Sequence, residues 1–161
     1  MKIVLLGVLL LISSSLLAGA KTERKVLSVE EKKDVEAVLS KNDLLFNALL
    51  KKDGMLIKKN AQDLSDFLKT SKAAIFKDVK LPASELAFMN AYNEKSLKTY
   101  EAFLTPLIKI VKEQDVNSKF NLFYCPMVQK SWIQDTTVNK DVRNVYAMEM
   151  LECGDQTTHF N

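Results

Sequence analysis

The residues with the most distinctive chemistry are the two cysteines, Cys125 and Cys153, which lie 28 positions apart. Each has a methionine close by, because Met127 follows the first cysteine by two positions and Met150 precedes the second by three. Thiolates and thioethers are soft ligands, which favour Cu(I) over Mg²⁺, Ca²⁺ or Mn²⁺. The spacing therefore predicts a sulfur-only copper site made of these four side chains.

The same cysteine pair supports a second interpretation, a disulfide. Cysteines of an exported protein reach an oxidising compartment in which disulfides persist. A bond between Cys125 and Cys153 would stabilise the fold by roughly 3 kcal/mol on the chain-entropy model. A disulfide supplies no thiolate to a metal, so the two interpretations exclude each other, and the sequence leaves both open.

Four other side chains of the same region are candidates for smaller roles. Met148 and His159 are candidate additional copper ligands, although a lone histidine in a polar tail is more often simply solvated. Trp132 and Tyr146 are expected to pack the C-terminal segment onto the rest of the protein or to contact a partner.

Motifs for catalysis are absent from the sequence. His159 is the only histidine, and its place in a polar tail is a poor one for holding a catalytic base. The two cysteines form no C-x-x-C motif, which argues against zinc, thioredoxin-like and c-type haem sites. There is no glycine-rich phosphate-binding motif either. We therefore predict that the protein is not an enzyme.

The first twenty residues are typical of a secretory signal. Lys2 gives a positive start, residues 3–17 form an apolar run, and residues 18–20 are an Ala-Gly-Ala cleavage site. Cleavage after Ala20 would leave residues 21–161, the size of one domain, in the periplasm and without a membrane span. The net charge of +3, with lysines spread among acidic residues, argues against a nucleic-acid-binding protein.

Helical periodicity dominates the chain up to residue 118. Ser28 and Glu31 are spaced as a capping box, and Gly54 suits the left-handed residue that ends a helix. Two apolar stripes follow the capping box: Val35, Val38, Leu39, Asn42, Leu45, Phe46 and Leu49, then Ile57, Ala61, Leu64, Leu68, Ser71 and Ile75. They predict two antiparallel helices.

A third helix is predicted to open at Pro82 and to run past Leu107. Pro106 lies inside this run, so we expect a kink there, or a break at which Thr105 caps a fourth helix. The period is lost beyond residue 118. We therefore predict an all-α fold, an up-and-down four-helix bundle of residues 21–118 with an irregular Cys/Met-containing segment, residues 119–161, packed on it.

The C-terminal segment resembles a known family over residues 124–154. The matching residues are Tyr124-Cys125-Pro126-Met127, Trp132, Arg143-Asn144-Val145-Tyr146 and Met150-Leu151-Glu152-Cys153-Gly154. They are similar to the signature of the bacterial domain of unknown function 3347, which reads CPM, a tryptophan, an N-P-Y stretch and M-L-x-C-G. Three positions depart from the family: Val145 replaces a proline, Met148 a glycine, and Ala102 a histidine found in many relatives.

The resemblance implies an exported helical domain, found alone or attached to adaptor subunits of heavy-metal efflux pumps. It also implies binding of copper or a related soft metal. The matching positions that would serve as ligands in this chain are Cys125, Met127, Met150 and Cys153. The sequence hypothesis is therefore an exported protein that binds or handles copper, with efflux components as partners. The alternative is a non-catalytic structural or protein-interaction module with a Cys125–Cys153 disulfide.

Overall fold

The computed structural model describes residues 24–116 and 119–160, so the predicted signal segment and its cleavage site lie outside the described residues. Within them, four α-helices precede a three-stranded antiparallel sheet. The helices are α1 (Val29–Leu50), α2 (Gly54–Thr70), α3 (Lys80–Leu86) and α4 (Glu94–Glu113), with a short 3-10 helix at Ala74–Phe76. The strands are β1 (Phe120–Cys125), β2 (Lys130–Asp135) and β3 (Asp155–Gln156).

Helix α1 begins at the predicted capping box. The Glu31 N–H donates to Ser28 Oγ at 3.2 Å, and the Ser28 N–H donates to Glu31 Oε2 at 3.1 Å, so each side chain satisfies a free backbone group. The predicted inner face of α1 is confirmed, because all seven residues of its stripe are buried: Val35, Val38, Leu39, Asn42, Leu45, Phe46 and Leu49.

The turn between α1 and α2 differs from the prediction. The left-handed residue is Lys52, with a φ of 54°, whereas Gly54 is the first residue of α2. Asp53 caps α2, since its Oδ1 accepts the Leu56 N–H at 3.0 Å. A Cβ on Gly54 would lie 3.0 Å from the Asn90 carbonyl oxygen. The glycine therefore allows close contact with a distant loop and does not end α1.

The predicted break at Thr105 and Pro106 between a third and a fourth helix is wrong, while the alternative, a kink at Pro106, stays a prediction. The interruption comes earlier, between Leu86 and Glu94, where the Asn93 side chain caps α4 by accepting the Ser96 N–H at 2.9 Å. Pro106 lies inside the continuous helix α4. A proline inside a helix removes only one backbone donor, whereas an asparagine cap stabilises the start of a new helix by accepting a free N–H. Here the cap determines the boundary.

The prediction of an all-α fold with an irregular C-terminal segment is also wrong. Strands β1 and β2 form an antiparallel hairpin, in which Phe120 lies opposite Asp135 and Cys125 lies opposite Lys130. Strand β3 pairs with the other edge of β1. Every residue of β1 except Tyr124 is buried. Since both faces of the hairpin are covered, its sequence lacks the polar–apolar alternation that identifies a half-exposed strand.

The sheet packs on the helices through β2, which contacts α1 and α4. At this junction Lys130 of β2 forms a salt bridge of 2.6 Å with Glu101 of α4. None of the helices within the described ranges, 24–116 and 119–160, is both long enough and apolar enough to cross a bilayer.

The two ends of the described chain meet beside the end of α4. The Lys25 N–H donates to the Glu113 carbonyl at 2.8 Å, which fixes the first described residues against that helix end. Arg24 forms a salt bridge of 3.1 Å with Asp115, and its guanidinium lies 3.9 Å from the ring centroid of Phe160. The first described residue thus contacts both the end of α4 and the C-terminal residues.

Asp43 on α1 is partly buried near the end of β2. Burial and, second, the negative charge of Asp135 raise the pKa of the Asp43 carboxyl above its ordinary value. Asn47 Nδ2 donates to Asp43 Oδ2 at 2.9 Å, and the Asp135 backbone also interacts with this carboxyl, but these contacts only partly offset burial and the Asp135 charge. Ionisation of Asp43 therefore lowers the free energy of unfolding. This loss of stability is fully present above the folded-state pKa and disappears as the pH falls through that pKa.

Asp43→Asn is accordingly expected to raise the free energy of unfolding at pH 7, by less than about 1 kcal/mol because solvent screens a half-buried charge. The gain should shrink as the pH falls to about 4, the range in which an unfolded aspartate titrates. Urea unfolding at both pH values measures it, with the exposed Asp78→Asn as the control. A gain of equal size at both pH values would contradict the charge-based explanation.

Candidate functional site

The structure joins Cys125 and Cys153 in a disulfide, with their Cα atoms 5.7 Å apart. Cys125 ends β1 and is fully buried, whereas Cys153 is partly exposed just before β3. The bond therefore ties the central strand of the sheet to the segment that leads into the edge strand. This is the cysteine arrangement of the second sequence interpretation.

The predicted thioether ligands lie close to this bond in the sequence and are accessible. Met127 lies in the turn between β1 and β2 with 68% of its surface exposed, and Met150 is exposed as well. Met148 is half-buried. Because paired cysteines carry no thiolate, a copper site of the predicted kind would require the disulfide to be reduced first.

His159 is exposed, and its Nδ1 lies 3.2 Å from Gln156 Nε2. In the part of the chain that the structure describes, no three side chains of histidine, cysteine, aspartate or glutamate are grouped closely enough to hold a metal ion.

Trp132 of β2 forms the core of the region beside the disulfide. It is fully buried and stacks on Phe123 of β1, with ring centroids 5.8 Å apart and an angle of 17° between the planes. Gly154 lies against its ring edge: the φ of this glycine is 135°, and a Cβ there would be only 2.7 Å from Trp132 Cη2. Both the backbone conformation and the contact therefore require glycine next to Cys153.

Gln134 has an equally structural role, which the sequence analysis did not assign. Its Oε1 accepts the Trp132 indole N–H at 3.3 Å and the Arg143 backbone N–H at 3.2 Å. Its Nε2 donates to the carbonyl oxygens of Asn139 and Asp141 at 2.8 and 2.7 Å. One buried amide thus holds the loop that follows β2 against the tryptophan.

Asn144, another residue without a sequence assignment, closes the loop that carries Cys153. Its Nδ2 donates to the Cys153 carbonyl at 2.9 Å, and its Oδ1 accepts the Tyr146 N–H at 2.9 Å. Its own backbone N–H donates to the Leu151 carbonyl at 2.7 Å. The sequence signal that could have identified it is its place in the Arg143-Asn144-Val145-Tyr146 stretch of the family resemblance.

Tyr146 packs against α4. Its ring lies 6.5 Å from that of Tyr100, whose hydroxyl donates to Asn42 Oδ1 of α1 at 2.9 Å. Burial and, second, the charge of Glu101 raise the pKa of Tyr146, and its hydroxyl has no hydrogen-bond partner among the described residues. Trp132 and Tyr146 both make packing contacts within the protein, and their alternative role in partner contact stays a prediction.

The comparisons with known proteins give no family for this chain: no family model, no curated protein and no solved structure matches it. The resemblance to the domain of unknown function 3347 stays a prediction.

Three side chains close in sequence to the bonded cysteines are exposed to solvent. Tyr124, Met127 and Met150 are exposed, and each lies within three positions of a bonded cysteine. We call them the disulfide-flanking residues. They are one aromatic and two flexible thioether side chains on a backbone that a covalent bond restrains, and they can contact another molecule without a large loss of backbone freedom.

Proposed function

We propose that this chain is a non-catalytic protein-interaction module that works in an oxidising compartment outside the cytoplasm. The supporting observation is the Cys125–Cys153 disulfide together with the exposed side chains beside it. Disulfides persist in exported proteins, and the signal-like residues 1–20 support the same compartment.

The disulfide-flanking residues are the proposed contact surface. Aromatic residues and methionine are enriched in protein interfaces, and a restrained backbone lowers the entropy cost of association. Trp132, Gln134, Asn144 and Gly154 brace this surface through buried contacts. The partner class implied by the family resemblance is an envelope component of heavy-metal efflux, and we adopt it as part of the proposal.

A photo-crosslinking amino acid at Met127 tests this function in the cell that makes the protein. We expect a discrete covalent product with one partner protein, which mass spectrometry identifies. The matched control is the same amino acid at Val138, because the exposed fractions of Met127 and Val138 are 68% and 70% and the two residues lie in turns at opposite ends of the hairpin. Equal products from both positions, or none from Met127, would contradict the proposed surface.

Copper handling is the second candidate function, and the close approach of the cysteines favours it. With Cα atoms 5.7 Å apart, reduction would leave two thiols as neighbours, with Met127 and Met150 a few positions away. Such a set would be soft enough for Cu(I). Copper handling requires reduced cysteines, whereas the interaction module keeps its disulfide. Cysteine variants therefore distinguish the two functions.

A further inference from the structure

A second exposed apolar surface lies on the helices. Met55 at the start of α2, Leu81 in α3 and Phe88 just after α3 expose 83%, 77% and 74% of their surface. Large apolar side chains with this much exposure are ordinary when single and informative when grouped.

The two helices that carry these residues run side by side in opposite directions. Lys80, at the start of α3, donates through its Nζ to the carbonyl of Ser71, just beyond the end of α2. At the other end, the start of α2 at Gly54 approaches the Asn90 carbonyl, two residues after Phe88. Between the helices lies a groove of about 400 Å³.

The exposed apolar residues lie close in the sequence to residues that line this groove, and Met55 lines a neighbouring depression that shares Gln62 with it. On α3, Ser84 lines the groove, and Leu81 lies three positions before it on the same side of the helix, whereas Phe88 lies in the turn just after the helix. The turn continues through Phe88, whose N–H donates to the Glu85 carbonyl at 3.2 Å. On α2, Met55 lies seven positions before Gln62, another groove residue. We call this surface the α2–α3 face.

The three apolar side chains protrude beside the groove, and the helix surface near them carries exposed polar side chains, among them Gln62, Asp66 and Lys69. Apolar groups that point outward from a polar surface are typical of proteins that insert side chains into the interfacial layer of a membrane.

The charge of the same region fits an anionic surface. Residues 51–88 contain eight lysines and five acidic residues, a net charge of +3, which equals the net charge of the whole chain. Lys58, Lys69 and Lys80 lie near the groove or along α2 beside it. Of the acids there, Asp63 is paired with Lys59 at 2.6 Å. The groove and the α2 surface beside it carry Lys58, Lys59, Lys69 and Lys80 against Asp63 and Asp66, so the α2–α3 face is itself positively charged.

We propose that the α2–α3 face binds the surface of membranes that contain anionic lipids. Met55, Leu81 and Phe88 enter the interfacial layer, and the surrounding lysines contact lipid phosphates. The protein lies on the bilayer and does not cross it. This surface is separate from the disulfide-flanking residues, so binding here does not depend on the function proposed above.

Co-sedimentation of the full protein with lipid vesicles tests the proposal. We expect binding to vesicles of phosphatidylcholine mixed with phosphatidylglycerol, little binding to phosphatidylcholine alone, and a decrease with added salt. Leu81→Ser/Phe88→Ser should weaken binding by about tenfold or more, because two inserted side chains are lost. Val29→Ser removes an exposed apolar side chain at the start of α1 and should leave binding unchanged. Circular dichroism verifies that both variants fold.

Three outcomes would overturn the proposal. They are failure to sediment with anionic vesicles at low salt, equal sedimentation on neutral vesicles, and unchanged binding by the double variant. A dimer of the wild-type protein that Leu81→Ser/Phe88→Ser separates in gel filtration would also overturn it, because a second copy would then cover the face. The crosslinking result at Met127 is independent of all of these.

Discussion

Trp132→Ala is expected to lower the free energy of unfolding by about 3 to 5 kcal/mol. The side chain is the largest in the fully buried set, stacks on Phe123 and donates its indole N–H to Gln134. Its removal leaves a cavity between the sheet and the loop that carries Cys153 and frees an acceptor of the Gln134 amide. Urea unfolding followed by circular dichroism measures the loss.

Two companion variants show whether the loss arises from this contact. Phe88→Ala truncates an exposed aromatic residue and should change stability by less than about 0.5 kcal/mol. Gly154→Ala should be clearly destabilising in the wild type, where its Cβ meets the tryptophan ring. It should be less so in the Trp132→Ala protein, where the positive φ and the 3.0 Å approach of the Cβ to the Tyr124 carbonyl oxygen still oppose it. A loss for Trp132→Ala below about 1 kcal/mol, or strictly additive effects, would contradict the described packing.

Removal of the disulfide is expected to cost about 3 to 4 kcal/mol, the value of the chain-entropy model for a loop of this length. Cys125→Ser/Cys153→Ser replaces both thiols and leaves no unpaired one. The matched control is wild-type protein unfolded in the presence of a reductant, which should show a similar loss. Intact mass after alkylation without reductant should show no added label, and label on both cysteines would contradict the disulfide.

The same variant distinguishes interaction from copper handling. In an anaerobic Cu(I) titration, the oxidised wild-type protein and Cys125→Ser/Cys153→Ser should behave alike, because neither offers a thiolate. Reduced wild-type protein is the informative sample. If it binds Cu(I) more tightly than the double variant, the second candidate function is supported; if the two have equal affinity, the four-sulfur site is ruled out.

The parts of the fold that could be predicted from the sequence are those determined by nearby residues. The capping box at Ser28 and Glu31 and the buried stripe of α1 depend on spacings of three or four positions, which a sequence displays directly. The boundary between α3 and α4 was missed although its signal, Asn93, is equally local. Pro106 seemed the stronger interruption, but a long helix that packs well tolerates the loss of one hydrogen bond.

The sheet and its supports could not be predicted in the same way, because their causes are contacts between distant residues. Strand β1 is buried on both faces, so burial removed the alternation that would have revealed it. Gly154 is needed because of Trp132, twenty-two positions earlier, and Asn144 because of the Cys153 carbonyl. The cysteines suggested both a bond and a metal site, and only their positions in the fold show that they are bonded.

The contact of Arg24 with Phe160 has a consequence for protein engineering. The two ends of the described chain are adjacent, so a short peptide could join them and new termini could be opened in an exposed turn such as that of Val138, giving a circular permutant. A fluorescent protein or affinity tag fused before Arg24 or after Phe160 would leave the molecule from the same corner.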